Sequence, residues 1–297
     1  MQRIFAATAL LMVCSAHTAR ADANSLFDAM GPREIAVGES LRAEAKGGLA
    51  TSLNPAGLAL SKELVLESSY GYRPTDGANV ASISACDSTV PVPGCFYYRY
   101  FSADPEISGI DHTRRAHEVG YVAARAVGRF VLGFTYKYFD YNSDLSGESD
   151  QSGHSTDLGI SIVPSETLKL AFVGYNLLSS GDSPQYPRAY ATGLLLRPTP
   201  RLALSADAVW NSELEDGQST GRYGGGAEFF FVGADQRSGY PLRAGVVYDN
   251  TVDGTYATAG AGYRTLTVGF DVGMRKQVDG GDELMIIGSI RLFAPPR

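Results

Sequence analysis

After residue 21 the chain holds no run of about 18 apolar residues, the length a helix needs to cross bilayer hydrocarbon. A transmembrane helix is therefore excluded from the remainder. Basic charge is scarce too: 25 Lys and Arg stand against 32 Asp and Glu, for a formal net charge of −7. An acidic chain without a basic stripe has little with which to displace phosphate counterions, so nucleic acid is not an expected partner. There are only three cysteines and four histidines. They form no metal-ligand spacing, and no metal or cofactor is expected. What the chain has in quantity is glycine, at 34, and tyrosine, at 17, with a mean hydropathy of −0.08.

The first 21 residues differ from the rest. A single early charge (Arg3), an apolar stretch from Ile4 to Cys14 and the small-residue site Ala19-Arg20-Ala21 read as a secretory signal peptide over 1–21. Its removal takes Arg3 and Arg20 away and moves the net charge to −9. Export places Cys86 and Cys95, nine positions apart, in an oxidising compartment, where they are expected to form a structural disulfide.

From Glu63 to Phe293 the chain reads as some fourteen short segments of alternating apolar and polar residues. The expected strands are 63–73, 78–87, 95–103, 117–127, 129–141, 154–164, 166–178, 188–198, 201–212, 222–233, 240–250, 254–264, 266–277 and 283–293. Twelve strands is the alternative, if the hairpin around the cysteines is lost. In 266–275, Leu266, Val268, Phe270, Val272 and Met274 share one face, and Thr267, Gly269, Asp271, Gly273 and Arg275 the other. Strand 201–212 repeats the pattern with Leu202, Leu204 and Trp210 against Ser205, Asp207 and Asn211. In a membrane barrel such apolar faces meet lipid and the charged faces line the lumen. Trp210 and Tyr248 sit near strand ends, where an aromatic belt belongs.

The connections also alternate, with short turns at Gly128-Arg129, Pro164-Ser165, Thr199-Pro200 and Thr265, and longer ones at 87–94 and 233–239. Polar loops at 103–116, 142–153, 179–187 and 212–221 fall between them, on the opposite side. The fold read from this grammar is all-β: a transmembrane antiparallel up-and-down β-barrel in a bacterial outer membrane. The barrel would cover 63–293, followed by a tail at 294–297 and preceded by an N-terminal hatch or plug segment at 22–62.

With those phases the lumen-facing candidates are Lys137, Lys169, Arg197, Asp207, Glu228, Arg243, Asp271 and Arg275, joined by Glu67, Asp157 and Asp249. Mixed signs favour ion pairs with one another and with the plug over a strongly selective pore. Asp207 and Glu228, on adjacent strands, form a candidate acidic pair for a cation. No enzyme is expected: His154-Ser155 and His112-Thr113 are neighbours, and adjacent strand residues point to opposite faces.

The N-terminal segment carries Gly48-Leu49-Ala50-Thr51-Ser52-Leu53-Asn54-Pro55-Ala56-Gly57-Leu58-Ala59 just before the first strand. In its place, its Asn-Pro-Ala-Gly-Leu-Ala ending and the strand count that follows, the chain resembles the FadL/PorV-type outer-membrane superfamily. The resemblance implies that Asn54, Pro55, Ala56 and Gly57 belong to a hatch closing the lumen. The chain departs from the long-chain fatty-acid transporters of that superfamily in its polar loop 142–153, where they carry a greasy capture groove. Its closing strand departs as well, with Phe293 one step out of the lipid-facing phase.

Two functions are compatible with this reading. One is a hatch-gated passive channel for small hydrophobic or amphipathic molecules. The other is a non-transporting barrel that anchors or scaffolds an envelope machine for secretion, assembly or gliding motility. Expected partners are outer-membrane lipid, the barrel-assembly machinery that inserts it, and either small hydrophobic solutes or envelope proteins.

Overall fold

Strict alternation decides the secondary structure. The computed structural model describes residues 30–294 except 108, 146–147, 181–185, 213–220 and 235, so the expected signal peptide, residues 22–29 and the tail 295–297 lie outside the described residues. The strands are β1 (Leu64–Arg73), β2 (Ala78–Asp87), β3 (Gly94–Ala103), β4 (Glu106–Ile107), β5 (Ile110–Asp111), β6 (Arg114–Val127), β7 (Phe130–Ser143) and β8 (Gln151–Ile162). They continue as β9 (Leu168–Tyr175), β10 (Ala189–Thr199), β11 (Leu202–Asn211), β12 (Gly221–Val232), β13 (Gly239–Asp249), β14 (Gly254–Arg264), β15 (Val268–Asp279) and β16 (Leu284–Ala294). β4 and β5 form a small separate hairpin, and the other fourteen make one closed ring of antiparallel neighbours. β1 pairs with both β2 and β16, so the sheet has no free edge.

The ring wears its apolar residues outside. In β7, Phe130, Leu132, Phe134, Tyr136 and Tyr138 are exposed while Val131, Gly133, Thr135, Lys137 and Phe139 are buried. β15 shows the same order, with Phe270, Val272 and Met274 outward against Asp271, Gly273 and Arg275 inward. An aqueous fold buries such faces against a second layer. A closed ring that displays them is a transmembrane β-barrel, the architecture of bacterial outer-membrane proteins.

Most elements match their sequence-level expectation, and the fourteen-strand count holds over twelve. Several boundaries shift by two or three residues, and three of the differences have a visible local reason. β9 stops at Tyr175 because Asn176 adopts a left-handed backbone (φ 54°) that breaks the ladder. β15 starts at Val268 because Thr265 closes a turn, its Oγ1 accepting the Val268 N–H at 3.0 Å. Ala294, assigned to the tail, is the last residue of β16 and pairs with Leu64.

The connections alternate less strictly than expected. At the end of the barrel opposite the short turns, hereafter the loop end, the connections 74–77, 250–253 and 280–283 are also tight. Gly77, Asp253 and Gly280 take positive φ there, which lets four residues reverse the chain. Cys86 and Cys95 stand opposite each other in the β2–β3 ladder and are joined by a disulfide.

Residues 30–61 lie inside the ring. They form helix α1 (Pro32–Ala36) and three 3₁₀ turns at Arg42–Glu44, Gly47–Thr51 and Pro55–Leu60. Ile35, Val37, Leu41 and Leu53 pack in one cluster with Phe101, Phe139 and Ile287 of the wall. Met30 shares a small cavity with Asn176 and Tyr186 near the loop end, and Ser61 leads into β1 at the turn end. The segment therefore runs the length of the lumen.

Candidate functional site in the barrel lumen

The wall is cleared for this segment by glycine. A Cβ on Gly224 of β12 would overlap the Gly38 carbonyl oxygen, and one on Gly245 of β13 would overlap the Gly38 nitrogen. Across the lumen, a Cβ on Gly133 of β7 would meet the backbone of Pro55 and Ala56, and one on Gly159 of β8 the side chain of Asn54. Backbone lies against backbone on both sides, which only a residue without a side chain permits.

The Asn-Pro-Ala-Gly motif sits against β7 and β8. Asn54 is fully buried and caps the last 3₁₀ turn, its Oδ1 accepting the Ala56 N–H at 3.0 Å. Its Nδ2 donates to the Arg42 carbonyl oxygen and to Ser161 Oγ of β8, each at 2.9 Å. Pro55 takes the first position of the turn, where its missing N–H costs nothing. A Cβ on Gly57 would overlap the Ala45 carbonyl.

Charge ties the segment to the wall. Arg42 pairs with Asp207 of β11 at 3.0 Å and donates from Nε to the Tyr175 hydroxyl at 2.9 Å. Arg33 reaches Glu228 of β12 at 3.1 Å, and Arg243 of β13 shares that carboxylate at 2.6 Å. Arg243 also holds Asp271 of β15 at 2.6 Å, and Asp271 receives Arg291 of β16 as well. Arg275 contacts Glu39 at 2.7 Å and Glu283 at 2.6 Å. Glu44 takes Lys46, Lys169 and Arg197 at 2.8, 2.9 and 3.0 Å. Burial pushes the Glu44 carboxyl up, but Lys46, Lys169 and Arg197 outweigh it and hold the group at about 2. Lys137 pairs with Asp157 of β8, wall to wall, at 2.8 Å, as Arg243 does with Asp271.

All eight lumen candidates face inward; Lys169, Arg197, Asp207, Glu228 and Arg275 pair with the segment, whereas Lys137, Arg243 and Asp271 pair with other wall residues. One expectation needs correction. The β11–β12 register sets Asp207 opposite Gly224 and Glu228 opposite Ala203, so the two carboxylates are not neighbours. Each instead meets an arginine of the segment, and no acidic pair for a cation exists there. The histidines lie elsewhere. His154 faces outward against Tyr136, whose hydroxyl is 2.8 Å from its Nδ1, while Ser155 is buried and bonds Asn176. His117 likewise meets the Tyr98 hydroxyl on the outer wall, at 2.7 Å. His112 lies 3.3 Å from Asp144 in the loop-end connections.

Sequence reasoning missed the segment's own half of these contacts: Arg33, Glu39, Arg42 and Glu44. The available signal was a dense run of alternating charge among glycines, unusual in a stretch that would otherwise be a simple lead-in. Cavities remain between the segment and the wall at the turn end. One of about 170 Å³ lies at the turn end beside Arg201 and Arg264, and a second of about 140 Å³ adjoins it beside Glu63.

No family profile and no curated protein matches the sequence. Solved structures do match the fold. The toluene transporter TodX of P. putida aligns over 93% of this chain and 100% of its own, with 11% identity and a TM-score of 0.70. A Pseudomonas aeruginosa FadL homologue covers 89% of this chain and 98% of its own, with 12% identity and a TM-score of 0.66. The toluene transporter TbuX of Ralstonia pickettii covers 90% and 98%, with 12% identity and a TM-score of 0.62. At these identities the likeness is one of fold. The FadL-type barrel implied by the motif at Asn54 is the fold this chain has.

Proposed function

We propose that this outer-membrane barrel is a passive channel for small hydrophobic or amphipathic molecules, with residues 22–62 as a hatch that closes it at rest. One observation supports this above the others: the lumen is filled by a separate segment seated on inner-wall glycines, not by side chains of the wall itself. A barrel built only as an anchor could fill its interior with bulky wall residues. This one keeps backbone-deep grooves for a removable element. The fold is shared with two toluene transporters, which agrees with a small hydrophobic solute.

The ionic ties at Arg33, Arg42 and Glu44 favour a second reading, a non-transporting barrel that scaffolds an envelope machine, because they hold the segment firmly in place. Conductance separates the two. In a planar bilayer the refolded wild type is expected to be silent, and a variant lacking Asn24 to Ser61 to conduct. A deletion that stays closed would remove the hatch reading and leave the scaffold.

A further inference from the structure

The two adjoining turn-end cavities have the opposite charge to the molecule around them. The N-terminal segment contributes Arg33 and Lys46 to their walls, β10 contributes Arg197, the turn after it Arg201, and β13, β14 and β16 contribute Arg243, Arg264 and Arg291. The carboxylates that pair with six of these seven cations are Glu44, Glu63, Glu67, Glu228 and Asp271, which are five, and Glu44 is shared with Lys169 as well. Positive charge is therefore in excess inside a chain of net charge −7.

The excess is concentrated in particular groups. Arg201 makes no ion pair among the described residues, and Arg264, stacked over the Phe293 ring, has a 3.4 Å ion contact with Glu63. The buried Nε of Arg291 donates no hydrogen bond. Unspent guanidinium N–H groups around a partly enclosed space are the chemistry that binds carboxylate and phosphate oxygens, through planar forks with two parallel bonds. On one side the larger cavity is apolar, lined by Ala203, Phe230 and Pro241. A volume of about 170 Å³ is enough for a small oxyanion carrying a compact apolar body.

We infer that this turn-end cavity is a binding site for a small oxyanion, a carboxylate or phosphate, held chiefly by Arg201, Arg264 and Arg291. The site stands whether or not the N-terminal segment moves, because Arg201, Arg264 and Arg291 all belong to the wall.

Calorimetric titration of the refolded full chain in chloride buffer, with inorganic phosphate and separately with benzoate, tests this. Saturable binding of at least one probe near one site per chain is expected. Affinity should fall at least tenfold in Arg201→Gln/Arg264→Gln and stay unchanged in Arg125→Gln, which alters an exposed charge near the turn end of β6. Arg201→Gln alone changes only an exposed turn residue and keeps the comparison valid if the double variant folds poorly; a loss of several-fold is expected for it. Phosphate binding without benzoate assigns a tetrahedral anion, and benzoate without phosphate assigns a carboxylate on an apolar body. No saturable heat with either probe, or equal affinity in the arginine variants, would overturn the site.

Discussion

Asp207 shows how much rests on single side chains in this lumen. It faces Arg42, a guanidinium enclosed by Tyr175 and the wall, and receives both its backbone N–H at 2.9 Å and its side chain. Removing one partner of a buried pair leaves the other charge uncompensated, at a cost of about 3–5 kcal/mol. Asp207→Asn should therefore loosen the segment while the barrel, held by ladder hydrogen bonds, persists. Trypsin offers a direct reading. The wild type should resist cleavage after Arg42 and Lys46, and the variant should be cut there with its barrel still folded. Equal resistance would mean the pair does not hold the segment. Residues such as Arg42 could not be paired from sequence, because its partner lies 165 positions away.

At the scale of elements, β12 stands out. It carries Gly224, Gly225 and Gly226 in succession, a composition that weakens a strand by adding backbone freedom and removing cross-strand packing. Its compensation is contact with residues 37–39, which lie against it. Deleting residues 24–61 should speed amide exchange in β12 and β13 far more than in the fourteen-residue strands β6 and β7. Uniform acceleration around the ring would count against this.

Legibility of the elements followed the same physics. Alternation is local, so β11, β13 and β15, with charges punctuating one face, could be phased by inspection. β6 could not, because Ala123, Ala124 and Ala126 suit either face and Arg125 points outward. Register was illegible for another reason. It depends on where a connection re-enters the ladder, and the one between β11 and β12 spans 212–220, which is why Asp207 and Glu228 looked adjacent. The Asn-Pro-Ala-Gly motif was visible in the sequence at Asn54, but its seating on Gly133 and Gly159 was not, since a glycine announces neither what approaches it nor from where.

Considered whole, the molecule has two layers of different chemistry. The ring is closed by backbone ladders, which do not titrate, whereas the inner segment is held in part by ion pairs. Glu44 has its folded value depressed to about 2, so its contribution is present above the ordinary carboxylate range and is lost as pH falls through about 2. The ionised Glu44 carboxylate, identified by infrared difference against Glu44→Gln, should thus persist at about pH 4 and fade only as the pH drops toward about 2. Loss of that band at about pH 5 would mean that Lys46, Lys169 and Arg197 do not hold it.

The lengthwise course of residues 30–61 also constrains how the molecule can be made. Met30 is near one mouth of the ring and Ser61 at the other, with charged side chains between them engaged on several strands. Threading that stretch through a finished cylinder would drag each arginine and glutamate past partners meant for another. Wrapping avoids this. If strands are laid down around a segment already seated, the join between residues 64–72 and 286–294 becomes the last to be made, and the first and last strands of the ring meet only once its contents are in place.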